Sequence, residues 1–259
     1  PSSETTSSSG RGNEPMINQK AIGYITANYS GTEKSVLVEN RSIASVPFMG
    51  RYRLIDFPLS NMANAGIRTV GLVLPGNWRS ILDHVGHGKD WMLDRKKGGL
   101  FPVPGNPYGT TKQGMRFLLR DIISNKELFE RSEAPYVVMM ASNIIFNLEL
   151  DEIIDAHERS GAGITMVYVN AERKHTDCSR LIIGDRGRVQ KVEPGCEYGD
   201  NKFIDCFVIN RDVLLQIIDR YQSADYLDIF EAIAGDFGLI DVCSYEFKGS
   251  PTPISTTAA

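Results

Sequence analysis

Two rhythms of apolar and polar positions alternate along this chain. Runs of six residues without a charge, AIGYIT (21–26), TVGLVL (69–74) and YVVMMA (136–141), are separated by longer segments whose apolar residues recur every three or four positions. The first rhythm belongs to strands buried on both faces, the second to amphipathic helices, and their alternation predicts an α/β fold. Such a fold carries a mostly parallel sheet flanked by crossover helices. GITMVYV (163–169), RLIIG (180–184), KFIDCFVI (202–209) and LIDVCSYEF (239–247) are further predicted strands. Helices are predicted at LSNMANAG (59–66), NWRSILDHV (77–85), KQGMRFLLRDII (112–123), LELDEIIDAHERSG (148–161), RDVLLQIIDRY (211–221) and YLDIFEAIAG (226–235). In the fourth of these, Leu150, Ile153, Ile154 and His157 share a face, and Gly161 is a natural stop. His157 therefore reads as a packed helix residue.

Three stretches fit neither rhythm. Residues 1–15 are rich in Ser, Thr, Gly and Glu and read as a disordered tail or expression remnant, and 249–259 read as a second tail. This leaves one domain over 16–248. The third stretch, 86–109, is rich in Gly, Pro and charge and reads as a long loop, either functional or disordered.

Composition narrows the classes of function. With 23% charged residues and a formal net charge of −4, the chain offers nucleic acid no overall positive field. No apolar run reaches the roughly 18 residues of a membrane span. The four cysteines (Cys178, Cys196, Cys206, Cys243) form neither a C-x-x-C pair nor a cluster at zinc spacing, which suits a reduced, cytoplasmic protein.

Ligands of open parallel sheets bind beyond the carboxyl ends of the strands. The loop after Thr26 has one glycine, Gly31, too few for a phosphate cradle, and Asn143 in the loop after Ala141 reads either as a residue stabilising a strand-end turn or as the replacement of a carboxylate that a nucleotide-transferring enzyme would use for Mg²⁺. Between Pro47 and Pro58, alternation puts Arg51, Arg53 and Ile55 on one side and Tyr52, Leu54 and Asp56 on the other. Neither side is apolar. The stretch reads either as a ligand site or as a structural segment in which Arg53 pairs with Asp56 and Pro58 begins a helix. Asp205, an acid in mid-strand, reads as a metal ligand or as the partner of a nearby Lys or Arg. Gln113 reads as a contact to a base or as an exposed residue in a first helical turn. His84, His87, Lys89, Arg95 and Lys97 read as an anion site or as solvated charge.

SVPFMGRYRLIDFPLSNMANAGI (45–67) closely resembles the signature of glucose-1-phosphate adenylyltransferases, the ADP-glucose pyrophosphorylases. Similarity continues at SILDHV (80–85), Gly109-Thr110, ADYLDIFEAI (224–233) and VCSYEFKG (242–249). The resemblance implies a GT-A-like (Rossmann-like) nucleotidyltransferase domain that joins ATP and glucose 1-phosphate into ADP-glucose and pyrophosphate with Mg²⁺, for glycogen synthesis. It also implies a C-terminal left-handed β-helix, absent from these residues. Matched residue by residue, Arg41 is kept, but the family's phosphate-facing Lys falls on Ile43, its Gln on Pro75 and its metal-binding Asp on Asn143. The sugar-phosphate Lys falls on Glu193, with Lys191 offered by a shifted alignment, and the second metal Asp falls on Pro253.

These departures leave no intact catalytic set and no metal site. They resemble the non-catalytic D-type subunits of the family, the glycogen biosynthesis D proteins, which implies a hetero-oligomer with a catalytic subunit. Arg41, Arg51, Arg53, Gly109, Gln113 and Asn143 would remain as a residual nucleotide or sugar-phosphate site. Two alternatives stand beside this reading. One is an active enzyme with a rearranged Mg²⁺ site using Asp56 or Asp205. The other is a sensor holding a sugar phosphate or adenine nucleotide through Arg41, Arg51, Arg53 and Lys112.

Overall fold

The structure, a computed structural model, describes residues 20–29, 41–107, 115–142, 144–223, 228–234, 238–249 and 252–253. Strand β1 (Ala21–Thr26) is followed by a hairpin of β2 (Pro47–Phe48) and β3 (Tyr52–Arg53), then α1 (Asp56–Asn64), β4 (Thr69–Leu74), α2 (Arg79–Val85) and β5 (Gly99–Pro104). Helices α3 (Leu119–Ser124) and α4 (Lys126–Glu130) lead into β6 (Tyr136–Ala141), β7 (Ile144–Ile145) and α5 (Leu150–Ser160). The rest comprises β8 (Ile164–Asn170), β9 (His175–Ile183), β10 (Val189–Cys196), β11 (Asn201–Asn210), α6 (Arg211–Arg220), α7 (Ile229–Ala234), β12 (Val242–Glu246) and β13 (Thr252–Pro253).

Nine strands form one mixed sheet. Strands β6, β1, β4 and β5 run parallel, β11 lies antiparallel to β6, and β11 passes the sheet on to β9 and β10 at one end and to β8 and β12 along its other edge. Side chains of the central strands alternate between two cores. Ala21, Ile25, Val138 and Met140 pack with residues of α1, α2 and α5, whereas Ile22, Tyr24, Val137 and Met139 pack with α3, α4, α6 and α7. Burial on both faces is why these strands read as unbroken apolar runs. Gly23 lets α1 close on β1, since a Cβ there would stand 2.8 Å from Met62 Sδ.

Three predicted elements are corrected. The stretch 86–109 contains a 3₁₀ turn at Lys89–Trp91 and the edge strand β5, whose Pro102 and Pro104 an edge position tolerates. Helix 112–123 begins only at Leu119, because Asp228 Oδ2 accepts the N–H groups of Arg116 and Phe117 (3.0 and 2.9 Å) and Phe117 O accepts from Ile229 (2.9 Å). Those tertiary bonds hold Met115–Phe117 extended. The hairpin segment does not alternate, since Leu54 and Ile55 are both buried where the chain turns into α1.

Candidate functional site

The carboxyl ends of β1 and β6 meet the middle of β11, and a bulge there sets the site. Phe203 pairs with Tyr168 and Phe207 with Met166, so β11 carries two more residues than β8 between those pairs. The extra length drives Asp205 into the left-handed region (φ 52°) with its carboxylate buried. Arg116, only 2% exposed, comes from the extended segment before α3 and faces it. Its Nη2 lies 2.9 Å from Asp177 Oδ2 on β9, and its Nε lies 3.8 Å from Asp205 Oδ2. The guanidinium stands 5.0 Å over the Tyr29 ring, whose hydroxyl shares a 3.0 Å hydrogen bond with Ser142 Oγ just after β6.

Charges in this cluster cancel. Arg116 and Lys202 stand with Asp177 and Asp205, two cations with two acids, all buried or nearly so. Burial works against the Arg116 charge, but the carboxylates of Asp205 and Asp177 outweigh it and hold the guanidinium pKa above its usual value. Burial pushes Asp205 up to about 6 against the pull of Arg116, and lowers the Lys202 ammonium below its ordinary range. Asp228 is pushed up to about 7 by burial, against the hydrogen bonds it accepts from the N–H groups of Phe230, Phe117 and Arg116. Asp205 is thus the partner of a cation, as one of its two sequence readings has it.

The hairpin residues engage one another. Arg53 Nη1 donates to Ser80 O, and the Arg53 backbone N–H donates to Asp56 Oδ2 at 2.9 Å. Asp56 Oδ1 lies 2.6 Å from His84 Nε2. The expected ion pair of Arg53 with Asp56 is therefore a backbone contact, and the helix starts at Asp56, two residues before Pro58. Arg51 and Arg41 are exposed, and Ile43 sits half-buried in a 3₁₀ turn (Ile43–Ser45). Glu193, on β10, is held by Lys191 Nζ (2.5 Å) and Arg180 Nη2 (2.7 Å), which keep its carboxyl below the usual range. His157 bonds Thr165 (2.7 Å) and Asn210 (2.8 Å) inside the core, as its helical spacing suggests. Gly109, Lys112, Gln113 and Asn143 lie outside the described residues.

Strand β13 pairs with β7 so that Pro253 stands opposite Ile144, next along the chain from Asn143. Of the two degenerate metal positions of the resemblance, the structure thus places Pro253 on a strand, and Asn143 lies outside the described residues. By residue type the two positions offer one amide and no carboxylate, and Asp205 and Asp177 are taken up by Arg116. This donor set does not fit Mg²⁺, which prefers anionic oxygen. Among the described residues no three His, Cys, Asp or Glu side chains gather in a metal-holding group, and no helix is long and apolar enough to cross a membrane.

Sequence reasoning singled out neither Arg116 nor Asp177, Tyr29 or Lys202. The one available signal was a lone cation inside the apolar run Met115–Leu119, which a helical reading hid.

Comparisons with known proteins agree with this architecture. Residues 37–193 match the family model described as nucleotidyl transferase. Glycogen biosynthesis protein GlgD of Bacillus subtilis (strain 168) is 28% identical over 90% of this chain and 59% of its own length. A glucose-1-phosphate adenylyltransferase of Clostridium perfringens (strain 13 / Type A) is 34% identical over 86% of this chain and 56% of its own. The chain thus spans under three fifths of these relatives. Among solved structures, a putative glucose-1-phosphate thymidylyltransferase from Bacillus anthracis superposes with a TM-score of 0.69 at 12% identity, covering 92% of this chain and 91% of that one, a likeness of fold. With the family match spanning more than half of its residues, the chain belongs to the nucleotidyl transferase family.

Proposed function

We propose that this chain serves glycogen synthesis as a non-catalytic, regulatory subunit of a cytoplasmic ADP-glucose pyrophosphorylase, assembling with a catalytic chain and modulating its rate. One observation carries the reading. The buried cation at the site's centre, Arg116, is already neutralised by Asp177 and Asp205. Phosphoryl transfer relies on cations and metal ions aimed at oxyanions that gain charge in the transition state. An incoming phosphate would have to displace two buried carboxylates from Arg116, leaving them unpaired at a cost of several kcal/mol, of order 3 or more. The replacements at Ile43, Asn143, Glu193 and Pro253 support the same conclusion, since none restores a cation or a metal carboxylate. Its relatives include both a glycogen biosynthesis protein and glucose-1-phosphate adenylyltransferases.

The test mixes the natural protein that carries this chain with a catalytic ADP-glucose pyrophosphorylase chain and follows both their co-elution and the rate of pyrophosphate release. Co-elution with a changed rate is the expected result. Separate elution with an unchanged rate contradicts the proposal.

A further inference from the structure

Apart from the two large cores, Cys178 and Cys196 pack with Ala171 in a small buried cluster of their own. Cys178 lies on β9, and Cys196 is the last residue of β10, the end strand of the sheet. Pro194 pairs with Ser179 and Cys196 with His175, so β9 places Thr176, Asp177 and Cys178 where β10 places only Gly195. That bulge brings the Cys178 sulfur onto Cys196. The two Sγ atoms stand 2.6 Å apart as free thiols. Each also points at a backbone carbonyl, Cys178 at His175 O (3.6 Å) and Cys196 at Ser179 O (3.5 Å), so both sulfurs are held in place. A disulfide requires only a further short approach, to about 2.05 Å.

Buried cysteines in apolar surroundings are inert, but a cation stands near this pair. The hydrogen bond shared with Cys178 holds the Cys196 thiol below its ordinary pKa; burial opposes that, and the buried Lys202 ammonium adds to the lowering. The same hydrogen bond, together with burial, pushes the Cys178 thiol up. Cys196 is therefore the sulfur that reacts as a thiolate, and Cys178 the one that follows. Cys196 also borders the exposed turn at 197–199, and the end of an edge strand is where local opening costs least. Among the described residues no three His, Cys, Asp or Glu side chains are placed to share a metal ion, so the pair is not part of a zinc site there. Asp177, carried by the same bulge, is the carboxylate 2.9 Å from Arg116 Nη2.

We propose that hydrogen peroxide converts Cys178 and Cys196 into a reversible disulfide that fastens β10 to β9 beside the Arg116 cluster. The Cys196 thiolate attacks one peroxide oxygen, the O–O bond breaks, and the hydroxide released takes up the proton that Cys196 lost, leaving a sulfenic acid and one water. The Cys178 sulfur then attacks Cys196 Sγ, and its own proton joins the hydroxide that leaves as the S–O bond breaks, giving a second water. Two thiols lose two electrons in all, and the peroxide gains them. A dithiol reverses the step by exchange. The bond closes a short loop across the hairpin, which resists opening of the edge strand and fixes the backbone that carries Asp177. A disulfide made and broken in this way is the kind that reducing compartments permit. The site stands independently of the proposed regulatory role.

Mass mapping of the protein treated with hydrogen peroxide, with backbone hydrogen exchange read on the same samples, tests this. Peptides carrying Cys178 and Cys196 should become linked with the loss of two hydrogens, and dithiothreitol should release them. Exchange across β9 and β10 should slow by roughly tenfold or more in the oxidised form, while that of β4 stays the same. In Cys178→Ser the reaction should stop at a Cys196 sulfenic acid, captured by dimedone, with no link formed. The proposal falls if peroxide leaves the two peptides unlinked, if dithiothreitol does not release them, or if exchange in β9 and β10 is equal in the two forms. A link from either cysteine to Cys206 or Cys243 would overturn the pairing. Absence of dimedone capture at Cys196 in Cys178→Ser would overturn its place as the first sulfur oxidised.

Discussion

Arg116 shows how one side chain decides the character of a site. Its charge is tolerable at 2% exposure only because Asp177 and Asp205 stand against it. Replacing it alone, as in Arg116→Met, strands two buried carboxylates and should cost about 3–5 kcal/mol in urea unfolding. Adding Asp177→Asn and Asp205→Asn should recover much of that loss. A single variant as stable as the parent would mean that the three charges are not coupled. Asp205 also predicts a pH dependence. Its folded pKa, about 6, lies above its unfolded value near 3.9, so the folded state holds the extra proton between those pH values. Stability from this group therefore falls as pH rises through that window, and the penalty is fully present above about pH 6. Unfolding measured at pH 5 and pH 8 should differ by a component that Asp205→Asn removes. Parallel profiles for parent and variant would contradict the assignment.

Elements were legible where local pattern and tertiary environment agree. The runs 21–26, 69–74 and 136–141 are strands to the residue, because burial on both faces leaves no polar position to blur their ends. Helix α5 buries Leu150, Ile153, Ile154 and His157, the face its spacing marks, and stops at Gly161 with φ 65°. Nothing lies within 4 Å of a Cβ built at Gly161, so Gly161→Ala probes backbone conformation alone. It should cost about 1 kcal/mol in thermal or urea unfolding. A neutral result would show that the left-handed stop is not what ends the helix. Elements set by distant partners were not legible. Strand β10 alternates irregularly, contains Pro194 and Gly195 and shifts register twice against β9, so its pairing, not its sequence, makes it a strand. Met115–Phe117 reads as helix and lies extended because the Asp228 carboxylate, 111 positions from Phe117, takes its N–H.

For the whole molecule, the residues with a recognisable family role and the residues that fill the site's centre are largely different sets. Arg41, Arg51 and Arg53 lie on or beside the hairpin, two of them exposed and the third committed to Ser80. Arg116, Asp177, Asp205 and Lys202 come from three separate stretches of chain, and no local spacing links them. A fold inherited from nucleotidyl transferases thus surrounds an interior closed by its own charges, which favours a role exerted through surfaces and assembly. The most direct test of that account is pyrophosphate release from ATP and glucose 1-phosphate, with Mg²⁺, by the natural protein carrying this chain, purified away from any catalytic partner. The account predicts no release above the uncatalysed background. Turnover that follows the protein through purification and changes with Arg116→Met would contradict it.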